Sequence, residues 1–76
     1  MKPLDTELAR IRMGERIAQL RKEKGLSLRQ LSAICGIHFI NLHKIEHGKM
    51  NPTVNKLAAI ADALDSHMDL IRGKVK

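Results

Sequence analysis

At 76 residues the chain has room for one small domain whose modest core would gain from dimerisation, and with 43% hydrophobic but only 1% aromatic residues and few strand formers it favours an all-helical bundle. Fourteen Lys and Arg against eight Asp and Glu give a net charge of +6, which points to a polyanionic partner, nucleic acid first, with a merely soluble basic surface as an equal alternative on charge alone. The single cysteine, Cys35, excludes an internal disulfide and a cysteine-pair zinc site, and neither an apolar signal core nor a run of ~18 apolar residues is present, so a soluble protein of the reducing cytoplasm is expected.

Helical spacing of apolar residues extends over nearly the whole chain, broken at Gly25, Gly36, Gly48 to Pro52, and around Asp65 and Ser66. The first helix starts near Asp5 or Thr6 and runs through Met13, Ile17 and Leu20 to Gly25. Gly14 is a weak point in it, costing ~1 kcal/mol relative to Ala, so a start at Met13 is the alternative. Ser27 caps a second helix barely two turns long, with Leu28, Leu31 and Cys35 inward and Gly36 as its stop. His38 caps the third, which buries Ile37, Leu42 and Ile45 and ends at Gly48. Thr53 starts a fourth, with Val54, Leu57, Ile60, Ala61 and Leu64 on one side. A short fifth helix after Ser66 would hold Met68, Leu70 and Ile71. The resulting organisation is an N-terminal extension over 1–12 that continues the first helix, a domain over 13–72, and a basic tail over 73–76.

Between Leu28 and His47 the order of residue types is specific. Leu31 is followed by the small Ser32, then by Cys35, the turn residue Gly36, and the apolar Ile37, Leu42 and Ile45. Two short helices crossing steeply need a small residue where their backbones approach and a glycine at the sharp reversal, which is the pattern of a helix-turn-helix. The flanking residues agree. Gly14-Glu15-Arg16-Ile17, Leu20 to Ser27, Lys44 to Lys49, Asn51-Pro52-Thr53 and Ile60 to Leu64 resemble the Xre family, the Cro and phage-repressor type of regulators with a lambda-repressor-like domain, over about Met13 to Ile71.

That resemblance implies a compact five-helix bundle whose second and third helices form the DNA-binding unit, with the C-terminal part of the chain making a two-fold interface. It also implies a structural ion pair between Arg21 and Glu46, tying the first helix to the end of the recognition helix. In this motif the start of the recognition helix meets base edges in the major groove. His38, Phe39, Ile40, Asn41, His43 and Lys44 are then the base-reading candidates. Lys44 would donate to guanine, while Phe39 and Ile40 could contact only thymine methyls or exclude water.

Phosphate candidates are Leu28 and Arg29 at the start of the second helix, with His47, Lys49 and Asn51 beyond the third. The chain departs from the family at Leu28, where Gln is usual, and at Phe39 and Ile40, where polar residues are usual. Packing against the N-terminal extension or against a partner is therefore an alternative for those two side chains. Arg10, Arg12, Arg16, Arg21, Lys22 and Lys24 spread around the first helix and read mostly as solvent-facing charge. Leu64, Met68, Leu70 and Ile71 are core by default, with their surplus forming the dimer contact.

His43 and His47 lie four apart near His38 and Cys35, but no further ligand completes a tetrahedral metal set, and neither a catalytic constellation nor a phosphate loop is visible. No cofactor or enzyme activity is expected. The favoured function is a homodimeric operator-binding regulator, most simply a repressor or the antitoxin of a toxin and antitoxin pair. The alternative is a protein-interaction module that grips a partner through Ile34, Phe39 and Ile40.

Overall fold

Why the chain folds as it does is clearest at the ends of its helices. The computed structural model describes the backbone of residues 6–72 and the side chains of residues 7–65, in four helices: α1 (Thr6–Glu23), α2 (Leu28–Cys35), α3 (Phe39–Glu46) and α4 (Val54–Arg72). Among the described residues there is no strand. Ser27 opens α2 with a reciprocal capping box, its hydroxyl accepting from the Gln30 amide at 3.0 Å while the Gln30 side chain accepts from the Ser27 amide at 2.8 Å. His38 caps α3 by accepting the Ile40 amide on Nδ1, and the Thr53 hydroxyl accepts from the Lys56 amide at the start of α4. Gly25, Gly36 and Gly48 close the first three helices in the left-handed region, at φ of 73°, 78° and 72°.

The core is formed by Ile17, Leu26, Leu31, Ile37, Leu42, Ile45, Ile60, Ala63 and Leu64, with Leu31, Leu42 and Ile45 fully shielded from solvent. Cys35 is a partly buried free thiol packed against this cluster. The packing of α2 against α3 is fixed by more than the glycine between them. The Ser32 hydroxyl donates to the Ile37 carbonyl at 2.5 Å, so the small residue that lets the backbones approach also satisfies an acceptor in the turn.

Three expectations need correction. The first concerns Gly14, which is no weak point. It is buried against the last turn of α3, where a Cβ would stand 2.7 Å from the Glu46 carbonyl oxygen and nearer still to that of Ile45. Only glycine allows α1 and α3 to approach this closely, and the helix runs through it from Thr6.

The second concerns the five-helix count. The backbone of α4 continues through Asp65 and Ser66 to Arg72, so the segment expected as a fifth helix belongs to the fourth. Neither residue is Gly or Pro, and each costs well under ~1 kcal/mol inside a helix, too little to force a break.

The third concerns which face of α4 is inward. Ile60, Ala63 and Leu64 are buried, but Val54 is 83% exposed, Leu57 borders on exposure, and Ala58 and Ala61 face solvent. The apolar sector of the helix is wider than the surface α2 covers. It leaves Val54, Leu57, Ala58 and Ala61 on the outside.

Candidate nucleic-acid interface

The inward residues of α3, namely Leu42, Ile45 and Glu46, fix which of its side chains point outward. Helical spacing then sets Ile40, His43, Lys44 and His47 on the opposite face, and all four are exposed. Asn41 and Phe39 lie on the flanks and are half-buried, while His38 at the cap is exposed. The outward face of α3 is not covered by any described part of the chain.

A buried ion pair anchors this helix. Arg21 on α1 donates from Nε to Glu46 Oε2 at 2.6 Å and from Nη2 to Oε1 at 3.0 Å, and its Nη1 donates to the Leu26 carbonyl at 2.8 Å. The guanidinium fork thus joins α1, the turn before α2 and the last turn of α3. Such a pair adds geometric definition more surely than net stability, because desolvating both charges offsets much of their attraction. Arg10 contributes as well, its Nε donating to the Gly48 carbonyl at 3.2 Å, so it is not simply solvent-facing charge. No buried side-chain nitrogen or oxygen among the described residues lacks a partner.

At the other end of α3, aromatic contacts organise the surface. The Arg29 guanidinium stands 4.1 Å from the centre of the Phe39 ring, a cation–π distance, and the His38 ring stacks on the same side chain with centroids 4.9 Å apart. Phe39 is therefore held by its own neighbours. The described part of the N-terminal extension does not reach it, since Ile11 packs against Gly48 at the far end of the helix.

Leu28, the first residue of α2, is half-buried and supplies no side-chain donor, so only its backbone could serve a phosphate. Together with Phe39, Ile40, His43 and Lys44 it lines an apolar cavity of about 300 Å³ on the outward face. Reading the residues singly missed this cavity. The signal was present in the simultaneous departures at Leu28, Phe39 and Ile40, three apolar residues that the fold brings to one place.

His43 and His47 stack with centroids 4.1 Å apart, and His47 Nδ1 donates to the His43 carbonyl at 2.8 Å, which leaves Nε2 as the outer nitrogen. No group of three or more His, Cys, Asp or Glu side chains among the described residues is arranged to hold a metal ion. Lys49 and Asn51 are exposed in the loop after α3, and Arg29 is exposed beside the start of α2. Of the residues expected at a two-fold interface, Leu64 is only 4% exposed and already part of the core, so it offers no surface; the side chains of Met68, Leu70 and Ile71 lie outside the described residues.

Two short helices joined by a glycine turn, the second with its outer face bare, form a helix-turn-helix, and a helix-turn-helix family model matches residues 17–71. The chain belongs to the Xre-type helix-turn-helix family. Two relatives agree. The chain is 40% identical over 60 residues to a protein of Sinorhizobium fredii named as an uncharacterized HTH-type transcriptional regulator, with 78% of each chain covered. It is 37% identical over 57 residues to another so named in Rickettsia prowazekii, covering 75% of this chain and 44% of that one. No helix among the described residues is long and apolar enough to cross a membrane.

Proposed function

We propose that this helix-turn-helix protein binds double-stranded DNA sequence-specifically as a small transcriptional regulator, inserting α3 into the major groove. The observation that carries the reading is the bare outer face of α3, with Ile40, His43, Lys44 and His47 exposed on a helix fixed at its far end by the buried Arg21–Glu46 pair. A rigid helix fits the major groove, and rigidity is what allows a few side chains to discriminate base edges. In this reading His38, Phe39, Ile40, Asn41, His43 and Lys44 face the bases. Arg29, His47, Lys49, Asn51 and the Leu28 backbone face phosphates, and the net charge of +6 supplies the sequence-independent attraction.

The regulator acts in the cytoplasm without catalysis, most simply as a repressor that blocks polymerase access. It binds as a homodimer whose half-sites lie about 34 Å apart, one helical turn of DNA. The exposed apolar sector of α4 at Val54, Leu57, Ala58 and Ala61 supports pairing through this helix.

Titration of the protein with duplex DNA across a range of salt concentrations tests the reading. Contacts to several phosphates require log K to fall linearly with log salt at a slope of about −0.9 per phosphate. Selection from random sequence then yields the operator. A second reading, a protein-interaction module that grips a partner through the same helix, is favoured by the apolar cavity beside Ile40. It predicts a salt-insensitive complex with that partner and no duplex binding at low ionic strength, and that result would refute the DNA reading.

A further inference from the structure

The cavity on the outer face of α3 has a lining that narrows what it can accept. Its walls are the side chains of Leu28 and Phe39, the half-exposed Ile40, and the flanks of His43 and Lys44, and almost none of the lining surface is polar. A group bearing a donor or acceptor would lose its water there without a replacement partner, so the occupant must be apolar at the point of contact. The rim has the opposite character. Arg29 and Lys44 stand beside the cavity as cations, with His43 between Ile40 and His47 on the exposed face. An apolar hollow fringed by positive charge suits an apolar group displayed on a polyanion.

In the major groove one protruding apolar group meets that description, the C5-methyl of thymine, since the other groups on the base edges there are hydrogen-bond donors or acceptors or, at cytosine C5, a bare C–H that does not project. We infer that the Leu28–Phe39–Ile40 cavity is a receptor for a thymine 5-methyl group and sets the protein's sequence preference at that base pair. The inference rests on the DNA reading above and makes it specific. It also accounts for the three apolar residues together, because Leu28 forms the wall that a polar residue at the start of α2 could not.

Phe39 makes the receptor rigid. With Arg29 4.1 Å from the ring centre and His38 stacked on the ring, the side chain is already placed, so docking a methyl costs little ordering. The stacking also assigns Arg29 two tasks. Its guanidinium rests over the ring, and, exposed beside the start of α2, it keeps N–H donors for a phosphate acceptor.

The experiment uses the full chain and the operator obtained by selection from random duplex DNA. Each thymine of the operator is replaced in turn by deoxyuridine, which removes the methyl and keeps the base-pairing edge. Cytosine and 5-methylcytosine are then compared at the thymine that responds. One buried methyl is worth about a fourfold change in Kd, so deoxyuridine at one position per half-site weakens binding about fourfold, and about the square of that when both half-sites are changed.

Ile40→Ser, at a half-exposed position that does not hold the fold together, weakens binding to the thymine operator about as much as deoxyuridine does and abolishes the thymine to deoxyuridine difference. Of the two cytosine duplexes, the 5-methylated one binds more tightly to the wild type only. Salt-dependent duplex binding with no methyl effect at any thymine, or a methyl effect unchanged in Ile40→Ser, overturns the receptor and leaves DNA binding standing. Absence of binding to any duplex at low ionic strength overturns both.

Discussion

Replacing Gly14 by Ala separates two ways of reasoning about the same residue. Helix propensity alone predicts a gain of about 1 kcal/mol, because glycine in a helix interior carries the larger backbone entropy cost. The structure predicts the opposite sign. The added Cβ would meet the Glu46 carbonyl carbon at 2.8 Å and its oxygen at 2.7 Å, with the Ile45 carbonyl closer, and all of these are backbone atoms that no rotamer change can move.

Relief therefore requires α1 to shift away from the last turn of α3, which loosens the 2.6 Å Arg21–Glu46 contact and the packing around Ile17 and Ile45. Overpacking of this kind costs typically ~1–3 kcal/mol, and more where the obstacle is backbone. Because the obstacle is backbone the cost falls at the upper end, about 3 kcal/mol, and set against the propensity gain the net loss is about 2 kcal/mol, a fall in Tm of roughly 8–16 °C for a domain this small. Urea and thermal melts followed by circular dichroism, at one fixed protein concentration because a dimer's stability depends on it, provide the measurement. Glu15→Ala on the exposed neighbour should change stability by less than about 0.5 kcal/mol. A Gly14→Ala variant that melts above the wild type would show that the two helices do not meet as described.

Glu46→Ala leaves the buried Arg21 guanidinium without its carboxylate and is expected to cost about 3–5 kcal/mol, measurable by urea denaturation; a loss below about 1 kcal/mol would mean that the pair is solvated. His38→Ala removes the acceptor for the Ile40 amide and should cost about 0.5–2 kcal/mol, whereas His38→Asn, which can cap in the same way, should recover most of it in the same melt. Val54→Asp places a charge on a side chain that is 83% exposed in the monomer. It should leave the helical circular dichroism signal intact and shift sedimentation from dimer to monomer; an unchanged dimer would move the interface away from this sector of α4.

The parts of the fold that could be read in the chain are those decided within a few residues. Ser27 before Leu28, His38 before Phe39, Thr53 before Val54, and the glycines at 25, 36 and 48 each act on the nearest backbone amides and carbonyls, so residue type and position suffice. The spacing from Leu31 through Gly36 to Ile45 likewise sets the helix-turn-helix, because the buried faces of two short helices and the turn between them are all specified in one stretch. The outward placement of Ile40, His43, Lys44 and His47 follows from the same periodicity.

What the tertiary structure decided are matters of distance between segments far apart in the chain. Gly14 reads as a defect until α3 is laid against it, 31 or 32 positions further on. The wide apolar sector of α4 cannot be divided into core and surface until the size of α2 beneath it is known. Leu28, Phe39 and Ile40 are three separate anomalies in the sequence and one cavity in space, with Arg29 and His38 holding its wall. Local hydrogen bonding is encoded by neighbours and survives translation from sequence to structure, whereas packing depends on the shapes of surfaces that meet only once the chain has folded.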